Sequence, residues 1–259
     1  MEFTFGIISQ FDNEYYLKNL IESIIAENIP DFEIILVGPK TDISIESIYR
    51  IENLRHIEFD ESMKKGWITK KKNLITKAAK YENIVYLHDY LVLQKGWYEG
   101  FKKFGENFSI CITKIINNDN SRYRDWSLSP HNYKVIDIYI NKNLEYLLPY
   151  SEKELSKYMY ISGAYWVAKK SVMTEFSLNE NLSWGEGEDV EWSHRVRKKH
   201  NFSINHFSTV KLQKHKDTIF KLISEKNLDA FKRFEKNKIL KTDNLIFKFF
   251  IKSLIKLNK

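Results

Sequence analysis

Apolar positions along this chain follow two periods in turn, and their alternation predicts the elements. Phe3 to Gln10 is a β-branched and aromatic run that reads as a strand. Past the polar pair Asp12-Asn13, residues Tyr16, Leu17, Leu20, Ile21, Ile24 and Ile25 recur on one face of a helix. Phe32 to Gly38 is a continuous apolar strand of the kind buried on both faces in a parallel sheet, stopped by Gly38-Pro39. A strand-helix-strand unit is therefore complete by residue 38. A weaker strand follows at Ile57 to Phe59, and Gly66 opens a helix that runs to about Lys80. Ile84 to Tyr90 begins as a short apolar strand and turns polar at His88-Asp89-Tyr90. Ligands of open α/β sheets bind beyond the carboxyl ends of the strands, so His88 and Asp89 stand where chemistry is expected.

The second half is less regular. Ser109 to Lys114 reads as a strand and Asn117 to Arg122 as a loop. Tyr160 to Ala168 reads as one further strand, with Gly163 marking a place of close approach. Lys169 to Phe176 reads as a short helix, and Phe202 to Val210 as a last strand before Lys214-His215-Lys216-Asp217 and a helical region. No internal repeat is present.

One stretch stands apart from this patterning. Leu182 to Arg195 carries four carboxylates, Glu186, Glu188, Asp189 and Glu191, behind Gly185 and Gly187 and between Trp184 and Trp192. The segment from Glu188 to Lys199 has no helix breaker and runs from acidic to basic, the polarity a helix dipole favours, so a glycine-broken turn feeding a helix is expected. A solvated acidic first turn is one reading. Like charges this close cost stability unless something is gained, however, and aromatic rings beside polar groups at a loop-to-helix junction suit a sugar or base site. This turn is the candidate active site.

Composition narrows the class. With 259 residues, 43% hydrophobic and 29% charged, the chain fits one folded α/β domain with appendages. The lone Cys111 sits in an apolar run, which excludes a disulfide framework and suits a reducing compartment. No signal peptide and no membrane span is expected. The formal net charge is +7, and from Lys236 to Lys259 seven lysines face a single acid, Asp243, so most of that charge lies in the tail. Lys248, Lys252, Lys256 and Lys259 form one helical stripe and Leu245, Ile246, Phe249, Phe250, Leu254, Ile255 and Leu257 cover the remainder. Residues 237–259 are expected to be a basic amphipathic helix that attaches to an anionic membrane surface; the alternative is a helix docked on its own domain. A basic tail on a near-neutral body argues against nucleic acid as partner.

Taken in order, these pieces resemble the GT-A glycosyltransferases of the broad family-2-like group over residues 3 to 217. The first strand with Asp12-Asn13 resembles their nucleotide-binding start, and Gly66 to Asn73 resembles the segment where a basic residue and an Asn precede the metal-motif strand. His88-Asp89-Tyr90, followed by Gly96-Trp97, stands where the family has its Asp-x-Asp motif and a later Trp. Trp184-Gly185-Glu186-Gly187-Glu188-Asp189 resembles the Trp-Gly-Gly-Glu-Asp-Asp-Asp region of β-galactosyltransferases.

The resemblance implies a GT-A (Rossmann-like) α/β fold: a mixed, mostly parallel sheet flanked by helices over residues 1–236, with the amphipathic helix behind it. It implies an inverting transfer of a sugar, galactose or an N-acetylhexosamine, from a nucleoside-diphosphate sugar such as a UDP-sugar. The acceptor is then a hydroxyl of a saccharide or lipid-linked saccharide, as in bacterial surface polysaccharide synthesis at the inner face of the cytoplasmic membrane. Asp189 is then the base and Glu188 an acceptor contact, with Trp184, Gly185, Glu186 and Gly187 beside it. Ser9, Asp12, Lys70, Lys71, Asn73, His88, Asp89 and Arg195 become donor-binding candidates. A divalent cation, Mn²⁺ or Mg²⁺, is implied on Asp89 and His215. The chain departs from the family at this motif, since hard cations prefer oxygen ligands, Tyr90 is a poor one and His88 suits Mn²⁺ better than Mg²⁺. His88 and His215 as ordinary polar residues near a strand end is the other reading.

Two further classes remain. A non-catalytic carbohydrate- or membrane-binding protein on a degenerate GT-A fold would explain the incomplete metal motif, but has no use for a general base. A nucleotidylyltransferase would open with a glycine- and Arg-rich phosphate loop, which Ser9-Gln10-Phe11-Asp12-Asn13 is not.

Overall fold

The computed structural model describes residues 1–41, 51–128, 146–229 and 231–233. Its frame is an eight-stranded mixed sheet. Strands β1 (Phe3–Ile8), β2 (Phe32–Gly38), β3 (Leu54–Glu58) and β4 (Asn83–His88) pair in parallel in the order β3-β2-β1-β4. The sheet continues through β10 (Tyr165–Lys169), antiparallel to both neighbours, to β6 (Ile110–Ile116), β11 (Phe202–Leu212) and the edge strand β5 (Leu91–Leu93). A smaller sheet joins β7 (Ser127–Leu128), β8 (Tyr146–Leu147), β9 (Met159–Tyr160) and β12 (Lys221–Leu222). The mixed, mostly parallel sheet flanked by helices agrees with the fold expected from the sequence.

The uninterrupted apolar run of β1 is explained by burial on both sheet faces. Against one face Phe3, Phe5 and Ile7 meet Leu17, Leu20, Ile21 and Ile24 of helix α1 (Glu14–Ala26), whose first turn is capped by the Asn13 side chain. Helix α3 (Trp97–Phe104) packs there too, with Trp97 and Phe101 rings 5.1 and 5.4 Å from Phe3. The opposite face is covered by α2 (Ile68–Ala78), α4 (Lys170–Glu175) and α5 (Glu188–Val196) through Ile68, Ile75, Val172, Met173, Trp192 and Val196. Each such side chain contributes about 1.5–3 kcal/mol by leaving water.

The structure differs from the sequence reading at several places. The run Tyr160–Ala168 is two strands, because the chain turns at Ser162-Gly163 and Tyr165 N–H bonds Ser162 carbonyl at 3.0 Å. Helix α3 is an addition to the sequence reading: it is only eight residues long and flanked by Gly96 and Gly105, although Trp97, Tyr98, Phe101 and Phe104 form one apolar face. The helix behind the acidic turn stops at Val196 instead of Lys199. The strand read at 57–59 is β3, displaced to Leu54–Glu58. After Asp217 the described chain turns helical at residue 225. The expected amphipathic tail, 237–259, lies outside the described residues.

Candidate active site

Beyond the carboxyl ends of β1 and β4 opens a cleft of about 990 Å³. Ser9, Asp12, His88, Asp89, Lys71 and Trp184 are among its walls, so six of the residues singled out in the sequence share one space. The parallel pairing of β1 with β4 brings Ser9 and Asp89 together across 80 positions: the Ser9 hydroxyl donates to Asp89 Oδ2 at 2.6 Å and accepts the Phe11 N–H at 2.9 Å. Burial raises the Asp89 carboxyl above its usual range, opposed by the Ser9 hydrogen bond and Lys214. His88 is held well below the ordinary imidazole value by burial and then by the charges of Lys72 and Lys216, so it is neutral near pH 7.

The acidic turn docks on this cleft. Trp184 N–H donates to Gly66 carbonyl at 3.0 Å, leaving the indole 73% exposed at the mouth. Gly187 caps α5 at φ 76°, a left-handed conformation that an L side chain rarely adopts. From there the four carboxylates part ways. Glu186 turns back to accept the Ser183 N–H at 2.6 Å, and Glu191 pairs with Arg195 one turn along the helix. Glu188 and Asp189 point inward to Gly163, where a Cβ would lie 3.1 Å from Glu188 Oε1 and 3.2 Å from Asp189 Oδ2. Asp189 Oδ2 accepts the Gly163 N–H at 3.0 Å, and the Asp189 carbonyl accepts the Ser193 hydroxyl at 2.7 Å.

A lysine completes the group. Lys72, buried on α2, donates to Gly163 carbonyl at 2.7 Å and stands 4.5 Å from the Trp166 ring centroid. Burial pulls its pKa down to about 8, with Glu188 and Asp189 opposing. Glu188 is raised above the usual carboxylate value by burial and by the Asp189 charge, while Lys72 works the other way. Because a backbone hydrogen bond of Gly163 also reaches His88, the cleft wall and the carboxylate pair meet at this glycine.

Other candidates from the sequence are engaged elsewhere. Lys70 pairs with Glu180 at 2.8 Å, and the Asn73 side chain bonds both Leu178 backbone groups and Glu180, so the two hold the 178–180 loop on α2. Arg195 grips Glu191 and Ser177 carbonyl, away from the cleft walls. Lys71 lines the cleft but is neutralised by Glu61, which also binds Gln10 and the Gly66 N–H. His215 is exposed between Asp119 and Asp217, 3.4 and 3.3 Å away.

At Asp89 the donors are one carboxylate and the Ser9 hydroxyl bonded to it. Among the described residues no three His, Cys, Asp or Glu side chains stand close enough together to hold a metal ion. Cations occupy the neighbourhood: Lys216 Nζ lies 3.6 Å and Lys214 Nζ 5.1 Å from the Tyr90 ring centroid. Lys216 is pushed down to about 8 by burial, then by Lys214 and Arg124.

Lys72, Lys214, Lys216 and Arg124 were not singled out in the sequence. For Lys72 a signal was present: Ile68, Lys72 and Ile75 lie on one helical stripe, so the last lysine of the triplet faces the core. For the others none was, because residues 124 and 214–216 meet only through tertiary structure.

No protein-family model matches the chain and no curated protein does. Among solved structures, the chain is similar to the crystal structure of S. aureus TarS 1-349, with a TM-score of 0.57 at 13% sequence identity. The match covers 81% of this chain and 60% of that one, and at this identity the likeness is one of fold.

Proposed function

We propose that this protein is an inverting glycosyltransferase that moves a sugar from a nucleoside-diphosphate sugar to a hydroxyl of a saccharide acceptor. The observation that carries the reading is the Asp189 carboxylate, oriented by the Gly163 N–H at 3.0 Å beside a cleft at the carboxyl ends of β1 and β4. The fold shared with S. aureus TarS 1-349 accompanies this reading at the level of architecture alone.

In this reading the donor's nucleotide occupies the cleft near Ser9 and Asp12, and the acceptor sugar stacks on Trp184. Asp189 takes the acceptor proton, the freed oxygen attacks the anomeric carbon from the face opposite the diphosphate, and the leaving oxygen carries off the bonding electron pair. A single displacement inverts the centre, so an α-linked donor gives a β-linkage. Lys72 keeps positive charge beside the carboxylate pair. Galactose or an N-acetylhexosamine on UDP is the donor class we favour, and a lipid-linked saccharide at an anionic membrane the acceptor.

A non-catalytic binding protein leaves the carboxylate pair beside a buried lysine without a use. Thermal stability with a panel of nucleotide sugars, followed by transfer assays with the stabilising donor, tests the proposal, since a ligand of the native state raises Tm. Stabilisation without any transfer to a range of saccharides would leave a binding protein; no stabilisation by any sugar nucleotide would remove the donor reading.

A further inference from the structure

We infer that the donor's diphosphate is held without a metal ion, by the ammonium groups of Lys214 and Lys216 and the guanidinium of Arg124. The inference rests on the glycosyl-donor reading above and names the groups that meet its leaving charge.

These three side chains are set in place by buried polar contacts. Gln213 Nε2 bonds the carbonyls of Tyr16, Asp89 and Leu91 at 2.7, 3.3 and 3.2 Å, which pins the end of β11 over the end of β4 and delivers Lys214 to the cleft wall. Asn117, itself buried, accepts the Lys216 N–H at 3.0 Å and donates to the Lys216 carbonyl at 3.2 Å. So clamped, Lys216 extends its ammonium over Tyr90. Arg124 spends one Nη2 hydrogen on Tyr160 Oη at 3.0 Å, while its buried Nε has no hydrogen-bond partner among the described residues.

Among the described residues none of the three has a carboxylate at ion-pair distance. Asp89 is near enough to favour the charged form of Lys216 and Asp189 that of Arg124, and Asp12 lies beside Asp89, yet Lys214 and Arg124 act on Lys216 in the opposite sense. Lys216 and Arg124 are partly buried like charges and the Arg124 Nε is an unpaired donor, an arrangement that costs stability unless an anion is bound. A diphosphate matches this need, since its several oxygens accept charge-assisted hydrogen bonds from more than one cation. As the anomeric C–O bond breaks, the electron pair passes to the diphosphate oxygen, and these cations stabilise that charge while the acceptor proton goes to Asp189. Lys70, Lys71 and Arg195, the donor-binding cations suggested by the sequence, have their charges matched by Glu180, Glu61 and Glu191.

Titration calorimetry of the full chain with UDP, GDP, CDP and dTDP, once in EDTA and once in Mn²⁺, tests the inference. At least one nucleotide is expected to bind with the same Kd in both buffers, within about twofold. Lys214→Ala should weaken it about tenfold and the Lys214→Ala/Lys216→Ala pair about a hundredfold. Lys211→Ala, which loses only a surface bond to Asn120, serves as the control that stays unchanged. Lys214 is exposed, so its single variant remains informative even if the pair fails to fold. Binding that needs Mn²⁺, or survives Lys214→Ala undiminished, overturns the metal-free site and leaves the glycosyltransferase reading standing. Silence of all four nucleotides in both buffers overturns that reading, and this inference with it.

Discussion

Lys72 and Asp189 grip Gly163 from opposite sides of its Cα: the lysine ammonium donates to the Gly163 carbonyl at 2.7 Å, and the Gly163 N–H donates to Asp189 Oδ2 at 3.0 Å. The proposed base is thereby oriented by backbone that a buried cation holds still. A group so fixed needs little reorganisation when the acceptor arrives.

Asp189→Asn should lower the transfer rate by about 10²- to 10⁴-fold, because the amide keeps the bond from Gly163 N–H but takes no proton. Its Tm and donor affinity should stay near wild type. Retention of more than about a tenth of the turnover would rule Asp189 out as the base.

Gly163→Ala probes the same geometry from the backbone. Its methyl would sit 3.1 Å from Glu188 Oε1 and 3.2 Å from Asp189 Oδ2, so both carboxylates must shift. Misplacement of that order is expected to cost about tenfold or more in kcat with little change in donor KM. Unaltered kcat in a folded variant would show that the position of the pair is not critical.

Lys72 should leave a signature in stability against pH. In the unfolded chain it stays protonated to about 10.4, whereas burial pulls it down to about 8 in the fold. Between these values the unfolded state binds the extra proton, so stability rises with pH there and is independent of this group below about 8. Urea unfolding of wild type and Lys72→Met from pH 7 to 10 should show wild type gaining stability relative to the variant above pH 8, by at most about 1.4 kcal/mol per pH unit. Parallel curves would mean that Lys72 is not buried as a cation.

Asn73→Ala should destabilise the protein by about 1–3 kcal/mol, since the side chain satisfies both Leu178 backbone groups and Glu180. Lys70→Ala removes a half-exposed ion pair and should cost under about 1 kcal/mol. Neither should change nucleotide affinity. A loss of donor binding in folded Lys70→Ala would return that residue to the donor site.

The basic tail makes a separate prediction. The full chain should co-sediment with vesicles containing anionic lipid at low salt, and a chain ending at Lys236 should not, since each lysine near such a surface contributes about 1 kcal/mol. Equal sedimentation of both, or indifference to lipid charge, removes the membrane role of residues 237–259.

Local sequence pattern was enough to place the sheet core and the element ends that border the candidate cleft. Continuous apolar runs such as Phe32–Gly38 can be satisfied only by burial on both faces, and a glycine-broken acidic turn feeding a helix has few other local solutions, so β2, α1 and the start of α5 were legible. Asp89 and Asp189 were legible for the same local reason, each lying where an element ends. Which partner each of several equivalent charges meets depends on long-range packing. Lys70, Lys71 and Lys72 are adjacent and chemically identical, yet one bonds Glu180, one Glu61 and one Gly163, because successive helical residues face about 100° apart and meet different neighbours. Lys214, Lys216 and Arg124 come together only when β11 is laid beside β6 and Gln213 and Asn117 fasten the chain that follows. Local pattern records which residues are buried; long-range pairing alone sets which charges face one another.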